Sequence, residues 1–161
     1  MPNWCECSLT IKGEAKELKR FKNFAKEGRR ILSFNRFVPY PEDFRRRDEE
    51  AIEINKKIAE GNLSAGLRIK DGFNSGGYEW CIANWGIKWD TDDNVSVEHD
   101  DKSLIYQFDT AWSPPIPVVR EMSIKFPLFT FALKYHEPGM QFKGKYKVKA
   151  GEVLSKTYTE Y

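Results

Sequence analysis

The sequence predicts an α+β fold in which two β-α-β units share one antiparallel sheet. Three observations carry this reading. Residues 5–12 alternate apolar and polar with period two, as a half-buried strand does. Ala15, Leu18, Phe21, Phe24 and Ala25 then recur at helical spacing. In the second half, a strand-like pair precedes a proline-led helical stretch and another strand, so the β-α order recurs.

Each element follows from its residues. In the first strand Cys5, Cys7, Leu9 and Ile11 share one face, and Glu6, Ser8, Thr10 and Lys12 share the other; Gly13 ends it. Gly28 is placed to cap the first helix. Ile31–Val38 reads as a short extended piece. A second helix is expected near Asp48–Glu60, with Ala51, Ile54 and Ile58 as its apolar stripe. Residues 61–77 hold five glycines and read as a mobile loop. A short helix is expected over Tyr78–Trp85, stopped by Gly86. Val95–Glu98 and Ser103–Asp109 form a hairpin through Asp100-Asp101-Lys102. Pro114, Pro115 and Pro117 open a helix that Pro127 closes. Leu128–Tyr135 is a central strand, and Met140–Lys149 pairs with Val153–Tyr158 across Ala150-Gly151. With residues 30–90 set aside as an insertion, the order is β-α-β-β-α-β plus a C-terminal hairpin, the ferredoxin-like split βαβ arrangement, in one domain over residues 1–161.

Composition narrows the function. The chain has 26 Lys+Arg against 24 Asp+Glu, a net charge of +2, so any nucleic-acid surface must be a local patch. Cys5, Cys7 and Cys81 form an odd set without disulfide spacing, which points to free thiols in a reducing cytoplasm. The start of the chain reads as neither a signal nor a transit peptide, and no apolar run suits a membrane span. There is no P-loop, G-x-G-x-x-G, H-E-x-x-H or nucleophile elbow, so neither an enzyme class nor a cofactor is indicated. The three cysteines do not make a metal set, and zinc would need a fourth ligand.

Four blocks stand out: Met1-Pro2-Asn3-Trp4-Cys5; residues Trp80 through Trp89; Phe108-Asp109-Thr110-Ala111-Trp112-Ser113-Pro114-Pro115; and Tyr135-His136-Glu137-Pro138-Gly139 with Phe142 and Gly144. Together they resemble the YubB-type ferredoxin-like family of phage and plasmid proteins. The resemblance runs over most of the chain and implies the same fold and a mobile-element origin in a bacterial host. It implies no activity. Cys7 stands where such proteins usually carry Asn, and Ile87 where they carry Thr, which favours structural roles at both positions.

The candidate ligand or partner residues are Asn84, Trp85, Lys88, Trp89, Asp109, Trp112, Tyr135 and Glu137. Trp80, Trp85 and Trp89 offer indole faces to a planar ligand and Lys88 a cation to an anion; the competing role is packing of the insertion, with Asn84 serving the helix end. In the Asp109–Pro115 stretch Thr110 or Ser113 can cap the following helix. Tyr135–Gly139 reads as a turn, and His136 and Glu137 point to opposite faces if extended. For nucleic acid the candidates are Arg45, Arg46 and Arg47, which precede the predicted helix, and Lys143, Lys145, Lys147 and Lys149, which share one strand face. Those lysines would lie roughly 6.6 Å apart, near the phosphate spacing of an extended single strand. Their competing role is protection of a sheet edge.

Three functions fit this inventory. The first is a mobile-element accessory protein that binds a host protein, with interference in host defence as its concrete form. The second is a nucleic-acid binder that uses the lysine and arginine surface. The third is an enzyme or small-ligand binder whose cleft is walled by Trp85, Trp89 and Trp112, with an ionisable group of perturbed pKa inside.

Overall fold

A computed structural model describes residues 2–161, so Met1 of the first block lies outside the described residues. The elements are β1 (Trp4–Lys12), α1 (Ala15–Phe24), α2 (Glu42–Ala59), α3 (Gly77–Asn84), β2 (Ser96–His99), β3 (Ser103–Ala111), α4 (Ile116–Lys125), β4 (Thr130–Glu137), β5 (Phe142–Lys149) and β6 (Glu152–Glu160). Six strands lie in the order β2-β3-β1-β4-β5-β6, and all neighbours are antiparallel. β3 lies between β1 and β2, and β1 lies between β3 and β4. That is the split βαβ order the sequence predicts, extended past β4 by the β5–β6 hairpin.

The alternation in β1 sets the two sides of the sheet. Cys5, Cys7, Leu9 and Ile11 are buried with Leu104, Tyr106 and Phe108 of β3, Phe131, Leu133 and Tyr135 of β4, and Phe142, Tyr146 and Val148 of β5. α1 and α4 cover this side. Phe21 of α1 stands at the centre, its ring 4.9–6.2 Å from those of Phe37, Tyr106, Phe126, Phe129 and Phe131. Aromatic contacts at these separations add edge-to-face and offset attraction to the burial itself. On the other side Glu6, Gln107, Asp109, Lys134 and the odd-numbered residues of β5 face solvent. The insertion joins the covered side, because Leu32, Phe34, Phe37, Trp85 and Ile87 belong to the same buried cluster as the strands.

The structure corrects several local expectations. α1 closes at Ala25, and Gly28 (φ +58°) instead turns the chain between the bridged residues Glu27 and Arg30. Within Ile31–Val38 the chain makes a 3-10 turn at Phe34–Arg36 rather than an extended run. α2 starts at Glu42, so Arg45, Arg46 and Arg47 lie inside it. The signal was Pro41-Glu42-Asp43, a proline leading two acids into a first turn. The glycine-rich stretch ends one residue early, since Gly77 opens α3, and it carries 3-10 turns at Ala65–Leu67 and Phe73–Ser75. β4 continues through Glu137, so the turn begins only at Pro138. The hairpin turn is as expected: Ala150 (φ 49°) and Gly151 (φ 77°) both take the left-handed backbone that a tight two-residue turn needs.

Among the described residues the Tyr106 hydroxyl is buried without a hydrogen-bond partner, and burial pushes its pKa up. Tyr106→Phe therefore stabilises the fold by about 1 kcal/mol, because it removes an unsatisfied polar group and keeps the ring. The midpoint of urea unfolding checks this.

Candidate functional site

Two surfaces gather the chemistry: a cleft in the insertion and the open side of the sheet. The cleft encloses about 350 Å³. Its walls are Glu27, Arg30 and Asn35 from the segment after α1, Tyr40, Arg45, Asp48 and Phe73, and, from α3 and the segment after it, Cys81, Trp85, Lys88, Trp89 and Asp90. It comes together because Asp90 organises the chain opposite. One Asp90 oxygen accepts from the backbone N–H of Phe34 and of Thr91 (both 2.8 Å); the other accepts from Asn35 N–H (3.1 Å) and the Ser33 hydroxyl (3.2 Å). Burial raises the Asp90 pKa, and these N–H groups oppose the rise. Cys81, on the same wall, has its thiol pushed up to about 12 by burial first and then by Asp90 and Asp48.

Of the ligand candidates read from sequence, Trp85, Lys88 and Trp89 reach this cleft, as does Arg45 from the basic run. Trp85 combines wall and core. It is 4% exposed, its indole N–H donates to the Val38 carbonyl at 2.9 Å, and its ring meets Trp80 edge-on at 5.3 Å. Trp89 is 44% exposed. Asn84 serves the helix end, donating to the Trp80 carbonyl at 2.9 Å. Trp112 is not among the cleft walls. It sits at φ 70°, a backbone that bulky residues rarely adopt, with its N–H on the Asn3 carbonyl at 2.9 Å. Its ring lies 5.0 Å from the Lys88 ammonium, which also stands 6.0 Å from the Tyr78 ring.

Other assignments change. Thr110 and Ser113 do not cap α4; their hydroxyls donate to the carbonyls of Ser113 and Gly86, each at 2.7 Å, and Pro115 holds the cap position. Tyr135 and Glu137 belong to the covered side of β4, away from the cleft. Glu137, 1% exposed, accepts the Gly139 N–H at 3.0 Å and the Met140 N–H, so it builds the β4–β5 turn. His136 faces the open side, as period two demands, and meets Glu6 across the strand at 3.5 Å and the Tyr161 hydroxyl. Arg45 and Arg46 pair with Glu42 and Asp43 one turn back, and Arg47 donates to the Lys70 carbonyl at 3.2 Å. The arginine run is thus largely engaged within the insertion.

The open side is largely segregated by charge, with Lys149 opposite Glu152 on β6 and His136 beside Glu6 as the exceptions. Glu6 stands directly opposite Asp109 on β3, and Lys134 directly opposite Lys145 on β5. Lys143, Lys145, Lys147 and Lys149 are all exposed and none has a carboxylate within 4.0 Å among the described residues. Edge protection does not account for them, since β6 pairs with β5 along its length and is itself the edge. Asp109 has its pKa raised by burial and by Glu6 and Asp92. A shallow hollow runs between the two charge groups, bordered by Glu6, Ser8, Gln107, Asp109, Lys134 and His136. Sequence reading found the lysine stripe but missed Lys134 and the cleft residues Glu27, Arg30, Tyr40, Asp48 and Asp90. Only the strand register and the path of the insertion bring these together.

Residues 84–161 match the family model described as a ferredoxin-like domain in Api92-like protein. The matched stretch holds β2 to β6 and α4, and leaves β1 and α1 outside it. The crystal structure of a protein Api92 from Yersinia pseudotuberculosis superimposes with a TM-score of 0.63 at 12% identity, covering 100% of this chain and 98% of that one. At that identity the likeness is one of fold. No curated protein matches the chain. No helix among the described residues is long and apolar enough to cross a membrane.

The cleft's dependence on Asp90 is testable. Asp90→Asn turns an acceptor into a donor towards several backbone N–H groups and costs about 1–3 kcal/mol at neutral pH. The wild-type carboxyl titrates above its ordinary 3.8 in the folded state, so the native protein holds that proton more tightly than the unfolded chain. The stability difference between wild type and variant is therefore largest below the ordinary carboxylate range. It shrinks as pH rises towards the folded-state value and is flat above it. Denaturation at a series of pH values checks the sign.

Proposed function

We propose that the chain is a non-catalytic nucleic-acid-binding protein of a phage or plasmid, working in the bacterial host cytoplasm, and that it holds a single strand along β5. The supporting observation is the unpaired lysine stripe on an interior strand, with Lys134 directly opposite Lys145. Like charges facing each other across strands cost about 0.2–1 kcal/mol, and interleaving with the acids of β1 and β3 would relieve that cost. A polyanion relieves it instead. Lys143, Lys145, Lys147 and Lys149 share the exposed face of β5, and Thr157 and Ser155 of β6, opposite Lys145 and Lys147, add hydroxyls beside it. Tyr161 and His136, stacked at 5.9 Å, mark one end with the aromatic surface that base stacking uses. Glu6 and Asp109 repel the strand from the β1–β3 half. The mobile-element setting rests on the YubB-type resemblance, and the cytoplasmic one on free, buried thiols.

A second reading, binding of a host protein in the course of interference with host defence, has its own observation. Trp112 (36% exposed) and Tyr78 flank Lys88 at the surface, and Ile82 lies one turn from Tyr78 on α3. Aromatic clusters of this kind anchor protein interfaces.

Fluorescence anisotropy with a labelled oligothymidine separates the two. Lysine-face binding predicts a log–log salt slope of roughly −3 for four phosphate contacts. It also predicts a loss of at least tenfold in affinity for Lys145→Glu with Lys147→Glu, and none for Trp112→Ala. Absence of binding at low salt would remove the nucleic-acid reading. Capture of a stoichiometric host protein from nuclease-treated lysate, lost in Trp112→Ala, would replace it with the second.

A further inference from the structure

The insertion cleft is separate from the lysine face, and its polar groups divide into two sets. The carboxylates are spent on the walls. Glu27 accepts from the Asn35 amide at 3.0 Å, Asp48 from the Tyr40 hydroxyl at 2.9 Å and the Phe73 N–H at 2.8 Å, and Asp90 from three backbone N–H groups. The Asn35 carbonyl oxygen is also used, accepting the Tyr40 N–H at 2.7 Å. The cations are committed only in part: the Lys88 ammonium lies over the Trp112 and Tyr78 rings, and the Arg30 charge acts on Asp90. Arg30 commits its Nε to the Thr91 carbonyl at 2.6 Å, and neither Arg30 nor Lys88 has a carboxylate within 4.0 Å among the described residues. Both are half-buried. What remains for a ligand is donor capacity from a guanidinium fork and an ammonium, beside the indole of Trp89 and the rings of Tyr40 and Phe73.

We infer that this cleft binds a small molecule made of a planar aromatic ring carrying an anionic group, with Arg30 and Lys88 on the anion and Trp89 on the ring. The volume of about 350 Å³ falls in the range of small-molecule sites and suits a mononucleotide or an aromatic carboxylate. A guanidinium matches phosphate or carboxylate bidentately, and an indole face offers a large surface for offset stacking with a planar ring. A neutral ring would leave the Arg30 and Lys88 donors that line the cleft without an anionic acceptor. A bare anion would leave Trp89 in water.

The probes are adenosine 5′-monophosphate and indole-3-carboxylate, with adenosine and inorganic phosphate as the separated halves. Binding is followed by calorimetry and by the Trp89 indole N–H resonance. The expected result is saturable binding of at least one ring-plus-anion probe, at least tenfold tighter than either half, with the Trp89 resonance shifted. Lys88→Gln weakens binding at least tenfold, while Lys145→Glu, on the sheet face, leaves it unchanged. Lack of saturable binding by both probes at millimolar concentration would overturn the inference. So would wild-type affinity in a folded Lys88→Gln protein, or a shift confined to resonances of the sheet.

Discussion

Everything in this fold follows from the one-sided burial of β1. It is paired to β3 over Trp4–Lys12 and to β4 over Glu6–Lys12, so most of its backbone is satisfied by its neighbours. Cys5, Cys7, Leu9 and Ile11 then fix which side the helices must cover. A register slip of one residue would put Glu6 and Ser8 into the aromatic core around Phe21, which no compensating contact could repair. Once that side is set, the other is committed to water. The split βαβ order follows, because both helices must return on the same side of the sheet.

The two candidate surfaces lie on the two consequences of this arrangement. The open side gathers the residues the core rejects, and it sorts most of them by sign instead of pairing them, Lys149 opposite Glu152 and His136 beside Glu6 excepted. Local stability does not favour facing lysines or facing acids, so the sorting is the feature that asks for a partner. The cleft arises where the insertion between α1 and β2 joins the covered side. There Trp85 and Phe34 anchor it in the core and Asp90 ties its two walls together. Its carboxylates are held by hydrogen bonds to the walls, whereas Arg30 and Lys88 have no carboxylate within 4.0 Å among the described residues.

Much of this was legible in sequence, and the failures have physical causes. Strands β1 and β5 declare themselves because side chains alternate across a pleated strand, and the Ala150-Gly151 turn because its backbone needs residues that tolerate positive φ. Gly28 misled because a glycine four residues after a helix can serve its end or the next turn equally well. The start of α2 was hidden by Val38-Pro39-Tyr40-Pro41, which reads as a stop although Pro41 opens the helix. Lys134 was invisible as a site residue because its meaning lies in register: only pairing with β5 places it opposite Lys145. Asp90 was passed over because its partners Ser33, Phe34 and Asn35 lie more than fifty residues away.

The central claim is that the lysine face is kept for binding at the expense of stability. The direct measurement is Lys134→Glu, with unfolding free energy and oligothymidine affinity determined on the same sample. The account predicts a protein more stable by about 0.2–1 kcal/mol, since a carboxylate would then face the Lys145 ammonium across the strands, and several-fold weaker in binding. A variant that is less stable, or that binds as tightly as the wild type, would contradict it.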